Sequence, residues 1–226
     1  MHYFLNGGRD ERAVLKYRPV QELYSQLGVT KILFIVYAIR EEFWQQLWHR
    51  ERDMFGMPNF EVRALTIYDE NMTVIKDAVA WADFVYLPGG SQETLLKRMD
   101  QFGTSQTLAD AITAGKLKLL GGGSAGAMVM GAQCLVGHEE LKKVVPGLGF
   151  VADHVIDSHF SNRGREPRMH IALQNHPDLT GMGIDEDTGV MLDDNLALQA
   201  VYGPGTVSVY HANQKETYDS SSFNNT

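Results

Sequence analysis

Residues 119–127, Leu-Leu-Gly-Gly-Gly-Ser-Ala-Gly-Ala, place the strongest constraint on how this chain folds. A β-compatible stretch, 116–120, runs into Gly-x-Ser-x-Gly around Ser124, and a helix-compatible segment, Ala125 to Met130, follows at once. Only small residues fit on either side of a serine at so tight a bend from strand to helix. The pattern therefore predicts that the Ser124 hydroxyl stands clear of a sheet, where backbone N–H groups at the helix N-terminus would face an anionic intermediate.

The same glycine-rich segment is open to other interpretations. The pattern favours a nucleophilic serine at position 124, and an ordinary turn or an anion-binding loop is the alternative. No Lys-Ser or Lys-Thr pair follows the glycines, which excludes the P-loop of nucleotide-binding proteins.

Apolar strands and amphipathic helices alternate through the first two thirds of the chain. The continuous apolar run 31–37 is typical of a strand that is buried on both faces. Further strands are predicted at 60–66, 83–87 and 116–120, and helices at 40–54, 72–81, 92–99 and 104–114. This alternation predicts an α/β fold with a mostly parallel sheet flanked by helices.

Beyond Gly131 the pattern changes to short β-like pieces around one helical stretch, 165–175. The pieces are 154–157, 183–185, 189–192, 196–202 and 206–210. We expect the sheet to continue through them and to acquire antiparallel strands at one edge toward the C-terminus. At 226 residues and 44% hydrophobic, the chain is long enough for a single domain, 1–217, followed by a polar tail, 218–226.

Composition narrows the class of partner. A net charge of −8 argues against nucleic acid and against an anionic membrane. No apolar run approaches the ~20 residues of a membrane span, and the N-terminus lacks the apolar segment of a signal peptide. The single cysteine, Cys134, excludes an internal disulfide and suits a reducing compartment, so we expect a cytoplasmic protein.

A second glycine-rich turn, Pro88-Gly89-Gly90-Ser91-Gln92, follows the strand predicted at 83–87. Ligands of open α/β sheets bind beyond the carboxyl ends of the strands, and paired glycines let backbone approach a ligand closely. The N–H groups of Gly90 and Ala125 would together make an oxyanion hole. A plain strand-ending turn is the alternative.

Histidine is the side chain whose pKa suits a general base, and His159 is the best placed of the eight. It closes a predicted strand and precedes Arg163, Arg165 and Arg168. Three arginines within six positions indicate a carboxylate-binding patch, since a guanidinium matches a carboxylate bidentately. The alternative is a solvated loop with surface ion pairs.

A base histidine needs a carboxylate to fix its tautomer, and residues 185–187, Asp-Glu-Asp, follow a short predicted strand. The residues alone do not select one of the three acids. The segment lacks the Asp-x-Asp-x-Asp-Gly spacing of an EF-hand, so we expect no metal site there.

Taken together, these segments resemble the peptidase E and cyanophycinase family of serine peptidases, which have a class I glutamine-amidotransferase-like, flavodoxin-type fold. The resemblance extends from Asn6-Gly7-Gly8 to about Tyr210, and four motifs occur in the family's order. The cyanophycinase branch matches better, because its Asp-x-His-Phe followed by Arg-Gly-Arg and a later arginine is present at 157–168.

The resemblance implies a nucleophile at Ser124, a general base at His159 and an orienting acid at Glu186. It also implies substrate-pocket roles for five residues, namely Gln92, Asp157, Arg163, Arg165 and Arg168. The implied activity is hydrolysis of a small aspartyl or β-aspartyl peptide by acyl transfer, with no metal and no organic cofactor. An α-aspartyl dipeptidase and a non-catalytic ligand-binding protein of the same fold are the alternatives. Related proteins suggest a homodimer, although no segment of this sequence marks an interface.

Overall fold

The computed structural model describes residues 1–8, 24–44, 60–138, 140–211 and 214–223. Its strands are β1 His2–Asn6, β2 Lys31–Ile35, β3 Glu61–Leu65, β4 Phe84–Leu87, β5 Leu119–Gly123, β6 Gly131–Val136, β7 Lys143–Pro146, β8 Val151–Asp157, β9 Thr180–Ile184, β10 Gly189–Leu192, β11 Leu198–Tyr202, β12 Val207–His211 and β13 Gln214–Tyr218. Its helices are α1 Met72–Trp81, α2 Gln92–Gln101, α3 Thr104–Thr113, α4 Ala125–Met128 and α5 Glu166–Asn175, with short 3-10 turns at Glu41–Phe43 and Ser161–Arg163.

The first sheet has seven strands in the order β11-β10-β1-β5-β4-β2-β3. Its first five strands in the chain, β1 to β5, are mutually parallel where they pair, and β10 and β11 are antiparallel at one edge. The central strands β4 and β5 are buried along their whole length, as their apolar sequences predict. The prediction of an α/β fold with antiparallel edge strands is confirmed.

A second sheet corrects the expectation that one sheet continues through the C-terminal third. Six strands pair in the order β13-β12-β9-β8-β6-β7, with β6, β8 and β9 parallel. Only residues 124–130 separate β5 from β6, and a parallel crossover within one sheet needs about a dozen residues or more. The chain therefore leaves the first sheet after the short helix α4 and starts another.

Helices α1 to α5 begin and end within two residues of their predicted bounds, whereas strand β5 begins and ends three residues later than predicted. Helix α1 has the predicted bounds, and the Asn71 side chain caps it by accepting from the Thr73 N–H. Strands β1, β6, β7 and β13 were not predicted. Most of the helix predicted at 40–54 lies outside the described residues.

Two residues of the predicted polar tail, Tyr218 and Phe223, contact the domain and each other. Strand β13 pairs with β12 and ends at Tyr218, one residue beyond the predicted domain boundary. The ring of Phe223 packs on the ring of Tyr218, with centroids 5.9 Å apart. None of the helices in the described ranges combines the length and apolar character that a membrane crossing requires.

The carboxyl ends of the parallel strands meet where the two sheets adjoin. Asn6 at the end of β1 pairs in register with Gly123 at the end of β5, and Asp157 at the end of β8 pairs with Gly183 in β9. Backbone hydrogen bonds join the segments beyond these strands, from the His159 N–H to Gly7 O and from the Asp187 N–H to Gly8 O. Loops from both sheets therefore share one location.

Candidate active site

Ser124 occupies the sharp turn between β5 and α4, as the sequence predicts. Its backbone has φ 50° and ψ −117°, outside the conformations that an L-residue adopts readily. The Ser124 N–H donates to Asn6 O at 2.9 Å, which ties the turn to β1. A Cβ on Gly126 would lie 1.8 Å from Leu87 O, so no larger residue fits there without moving the backbone. The turn is fixed by close backbone packing on two sides.

His159 follows β8 and faces the Ser124 hydroxyl. Its Nε2 lies 2.9 Å from Ser124 Oγ, and its own φ is 49°. The bare Cα of Gly8 makes room for the ring, because a Cβ there would come within 2.3 Å of His159 Cε1. The sequence motif Asn6-Gly7-Gly8 signals this close approach.

Glu186 is the acid that meets His159, since its Oε1 lies 2.5 Å from His159 Nδ1. Its backbone N–H donates to Asn162 Oδ1 at 2.8 Å, which anchors the loop after β9. Asp185 points elsewhere and accepts from the N–H groups of Ser161 and Thr206. Residues 186 and 187 form a turn in which Asp187 has φ 57°, and this turn directs the Glu186 side chain toward the histidine.

Ser124, His159 and Glu186 thus form a continuous chain of hydrogen bonds, here called the triad. Burial lowers the pKa of His159 below the ordinary 6.5 of a histidine, and the positive charges of Arg163 and Arg165 act in the same direction. Glu186 opposes this effect through its hydrogen bond and charge. The imidazole is therefore neutral near pH 7 and able to accept a proton from the serine.

The Pro88-Gly89-Gly90 turn lies against the nucleophile. A Cβ on Gly89 would be 3.2 Å from Ser124 Cβ, and Gly90 has φ +136°, a conformation that favours glycine. Ala125 is the first residue of α4, where an N–H has no acceptor within the helix. Ala125 follows Ser124 in the chain, and Gly90 follows the glycine that contacts it; the oxyanion hole formed by their N–H groups stays a prediction.

Asp157, Arg165 and Arg168 form a compact group, here called the buried ion cluster. Asp157 is fully buried and accepts from Arg165 Nη1 at 3.1 Å and from Arg168 Nε at 2.6 Å, with a further bond from Arg168 Nη2. Both arginine side chains are 3% exposed. Arg165 Nη1 also donates to Ser158 O at 2.8 Å, and the Ser158 N–H donates to Asp157.

Asp157, Arg165 and Arg168 pair with one another, and the substrate-pocket role that the resemblance implies for them stays a prediction. Strand β8 carries the Asp157 carboxylate into the interior, where a charge needs compensating partners, and both guanidinium groups supply them. Through Arg165, the cluster binds the carbonyl oxygen of Ser158, the residue just before His159. The cluster is therefore joined to the segment that leads into His159.

The other two residues implied for the substrate pocket are more accessible. The Arg163 side chain is 29% exposed, and its Nε lies 3.6 Å from Glu186 Oε1. Gln92 is half-buried at the start of α2 and donates from Nε2 to Met128 Sδ at 3.4 Å, so it faces α4 beneath the serine. Of the three arginines, Arg163 alone offers part of its surface to solvent beside the triad.

Two further residues at the site were not predicted from the sequence. Asn162 anchors Glu186 as described, and His138, in the turn between β6 and β7, contacts Arg163 through Nε2 at 3.2 Å from Nη1. Asn162 stands beside the quoted His159 motif, whereas His138 belongs to no motif. Its part in the site depends on the pairing of β6 with β8, which no local pattern announces.

Comparisons with known proteins identify the family of this chain. The model of peptidase family S51 matches residues 6–199. A cyanophycinase from Synechococcus elongatus is 35% identical over 133 residues, covering 55% of this chain and 40% of that protein. A cyanophycinase from Nostoc sp. (strain PCC 7120) is 33% identical over 142 residues, covering 60% of this chain and 47% of that protein. The chain spans less than half the length of the curated relatives it matches.

The fold also has a solved counterpart. The crystal structure of a peptidase from an acI-B1 Actinobacterium superposes with a TM-score of 0.73 at 22% identity, covering 97% of this chain and 94% of the other. At that identity the likeness concerns the fold alone. Because the family model covers most of the sequence, the resemblance drawn from its motifs is confirmed, and the chain belongs to peptidase family S51.

Proposed function

We propose that this chain hydrolyses a peptide bond of a small acidic peptide by acyl transfer through the triad. One observation carries the proposal: an unbroken path of hydrogen bonds from the Ser124 hydroxyl through both ring nitrogens of His159 to the Glu186 carboxylate. A serine hydroxyl is a weak nucleophile, and an oriented neutral imidazole within hydrogen-bond reach is what activates it.

In the first half-reaction Ser124 Oγ attacks the carbonyl carbon while His159 Nε2 takes the hydroxyl proton. A bond forms between Oγ and the carbon, and the carbonyl oxygen becomes an oxyanion that the N–H groups of Gly90 and Ala125 stabilise. The C–N bond then breaks, and His159 gives its proton to the departing amine. The product is an ester between the acyl group and Ser124.

In the second half-reaction water replaces the amine. His159 takes a proton from the water as its oxygen bonds to the ester carbon, the bond to Ser124 Oγ breaks, and the proton returns to Oγ. Glu186 holds the ring with the proton on Nδ1 through its hydrogen bond and stabilises the imidazolium of each step. The cycle consumes one water molecule for each peptide bond that it breaks, and it returns Ser124 and His159 to their starting states.

The acidic character of the substrate rests on Arg163. Its guanidinium is partly exposed beside Glu186, and a guanidinium binds a carboxylate bidentately. The cyanophycinases among the relatives support the same direction. We therefore propose an aspartyl or β-aspartyl residue at the scissile bond.

A hydrolysis panel tests the function. Wild type and Ser124→Ala are compared on α-linked and β-linked Asp-Xaa dipeptides, their Asn-Xaa counterparts and cyanophycin, and labelling by a fluorophosphonate probe is followed by mass spectrometry. We expect Ser124→Ala to lose about 10⁴–10⁶ in rate while remaining folded, and wild type to be labelled at Ser124. Hydrolysis that survives the substitution, or labelling at another residue, would refute the triad. The ratio of β-linked to α-linked cleavage decides between the two aspartyl activities.

A further inference from the structure

His138 lies in the turn between β6 and β7, and buried groups hold its backbone in place. Its carbonyl oxygen accepts from Arg168 Nη1 at 3.1 Å and also from Arg165 Nη2. The preceding residue, Gly137, has φ +134°, and its carbonyl oxygen accepts from the same Arg168 nitrogen at 3.2 Å. The buried ion cluster therefore fixes the position of the His138 backbone, although the ring itself is exposed.

The His138 ring touches the most accessible arginine of the site. Its Nε2 lies 3.2 Å from Arg163 Nη1, and because a guanidinium only donates, Nε2 is the acceptor and the ring proton sits on Nδ1. The opposite side of the same guanidinium, Nε, is 3.6 Å from Glu186 Oε1. Arg163 thus lies between a neutral acceptor and the carboxylate of the triad.

A neutral acceptor has a particular effect on an arginine. Arg163 already lies 3.6 Å from the Glu186 carboxylate, and a second carboxylate in the place of His138 would add a further negative charge, whereas an imidazole orders the side chain without adding one. A free arginine loses rotamer freedom when it binds, and this loss weakens binding. An arginine that is already held in position avoids most of that loss.

We propose that His138 is a positioning residue that pre-orders Arg163 to receive the carboxylate of the substrate. This inference rests on the proposed function and deepens it, since it assigns selectivity for acidic peptides to the pair rather than to Arg163 alone. His138 touches no reacting atom, so its removal affects recognition of the carboxylate and leaves the chemistry of Ser124 unchanged.

The test uses His138→Ala and His138→Gln in the full chain. KM and kcat are measured on the Asp-Xaa dipeptide that wild type cleaves fastest and on its Asn-Xaa counterpart, and the rate of fluorophosphonate labelling reports on the triad. For His138→Ala we expect KM on the acidic peptide to rise about 3- to 10-fold, with kcat and labelling within about 2-fold of wild type. His138→Gln keeps an acceptor oxygen, so its KM on the acidic peptide should return most of the way to the wild-type value.

Two comparisons make the result specific. His211→Ala removes another exposed histidine, one whose Nδ1 lies 3.2 Å from Thr180 Oγ1 at the start of β9, away from Glu186, and it should change nothing. In an Arg163→Ala background, His138→Ala should have no further effect on KM, because the group it positions is gone.

Several outcomes would overturn the inference. They are an unchanged KM in His138→Ala, an equal rise in KM on the Asn-Xaa peptide, a parallel fall in labelling, and a full additional loss in the Arg163→Ala background. Failure of the proposed function gives a different result, namely hydrolysis or probe labelling that survives Ser124→Ala. An inactive Ser124→Ala together with a wild-type His138→Ala rejects the role of His138 alone.

Discussion

The buried ion cluster and the triad are neighbours that each contain one carboxylate, yet they differ in exposure. Asp157 of the cluster is fully buried, and it lies two residues from His159 in the chain. In the triad, the side chains of His159 and Glu186 are 10% and 16% exposed. The cluster satisfies its carboxylate with several donors and stays closed, whereas the triad keeps contact with solvent. A closed group of paired charges can therefore lie next to side chains that keep contact with solvent, and it can fix the backbone that carries one of them.

Glu186→Gln should have the largest effect on rate and little effect on stability. A glutamine amide can donate to His159 Nδ1, which moves the ring proton to Nε2, where it faces Ser124 and cannot accept the hydroxyl proton. We expect kcat to fall about 10⁴-fold with the thermal midpoint nearly unchanged. Steady-state kinetics and thermal unfolding measure the two quantities. The exposed Glu93→Gln is the control, and a fall in kcat of less than tenfold would remove Glu186 from the triad.

Asp157→Asn should do the opposite and mainly affect stability. It leaves Arg165 and Arg168 buried without their carboxylate, and breaking a buried ion pair costs about 3–5 kcal/mol. Urea unfolding measures the loss, and Glu93→Gln, which breaks an exposed pair with Lys143, should leave the urea midpoint at the wild-type value. A stable Asp157→Asn protein without hydrolytic activity would make Asp157 a substrate contact, as the family resemblance implies.

Arg163→Lys tests whether the Arg163 side chain binds the carboxylate of the substrate or only supports the structure of the site. An ammonium cannot reproduce the bidentate contact of a guanidinium, and a charged hydrogen bond is worth about 1.5–3 kcal/mol, so kcat/KM on acidic peptides should fall roughly 10- to 150-fold. The same substitution at the exposed Arg40 serves as the control. Equal losses on Asp-Xaa and Asn-Xaa peptides would show that Arg163 does not bind a carboxylate.

The pH dependence should show the smallest effect. The base must be neutral, so kcat/KM falls as pH drops through the pKa of His159 in the folded protein. Burial lowers that pKa, and the acid limb of the profile should therefore lie below pH 6.5, the ordinary value of a histidine. Glu186 raises the pKa, so Glu186→Gln should move the limb still lower. A limb above pH 6.5 in the wild type would contradict the dominance of burial.

The same shift affects stability with a definite sign. The unfolded chain binds a proton on His159 at higher pH than the folded protein does. The stability that the neutral ring contributes is therefore present above the unfolded pKa and is lost as pH falls through the region between the two values.

Local patterns were enough to predict the turn at Ser124 and most elements of the first sheet. Strand β5, the glycines and helix α4 lie within ten consecutive residues, so one short segment of the sequence determines how they are arranged. The second sheet depends on partners that are distant in the chain, such as β12 beside β9. A short apolar strand looks the same whichever sheet it joins, and no composition reveals which pairing occurs.

The candidate site was predicted unevenly for the same reason. The segment 185–187 offers three acids, and only the direction of each side chain separates Glu186 from its neighbours. Arg165 and Arg168 lie in a charged segment typical of an exposed loop, yet β8 places the buried Asp157 carboxylate against them. Residue type indicates which ion pairs are available, and burial decides which of them form.

The backbone at Ser124 and His159 has a consequence for evolution. Both residues have positive φ, near +50°, and strained conformations of this kind cost on the order of 1–3 kcal/mol each. Glycine adopts such angles freely, so a serine and a histidine here cost backbone stability, and the catalytic roles proposed for them give selection a reason to keep them. A duplicated copy released from hydrolysis would gain stability by losing its nucleophile or its base. Inactive descendants of this fold are therefore expected to carry glycine at these two positions and to unfold at higher temperature than the active parent.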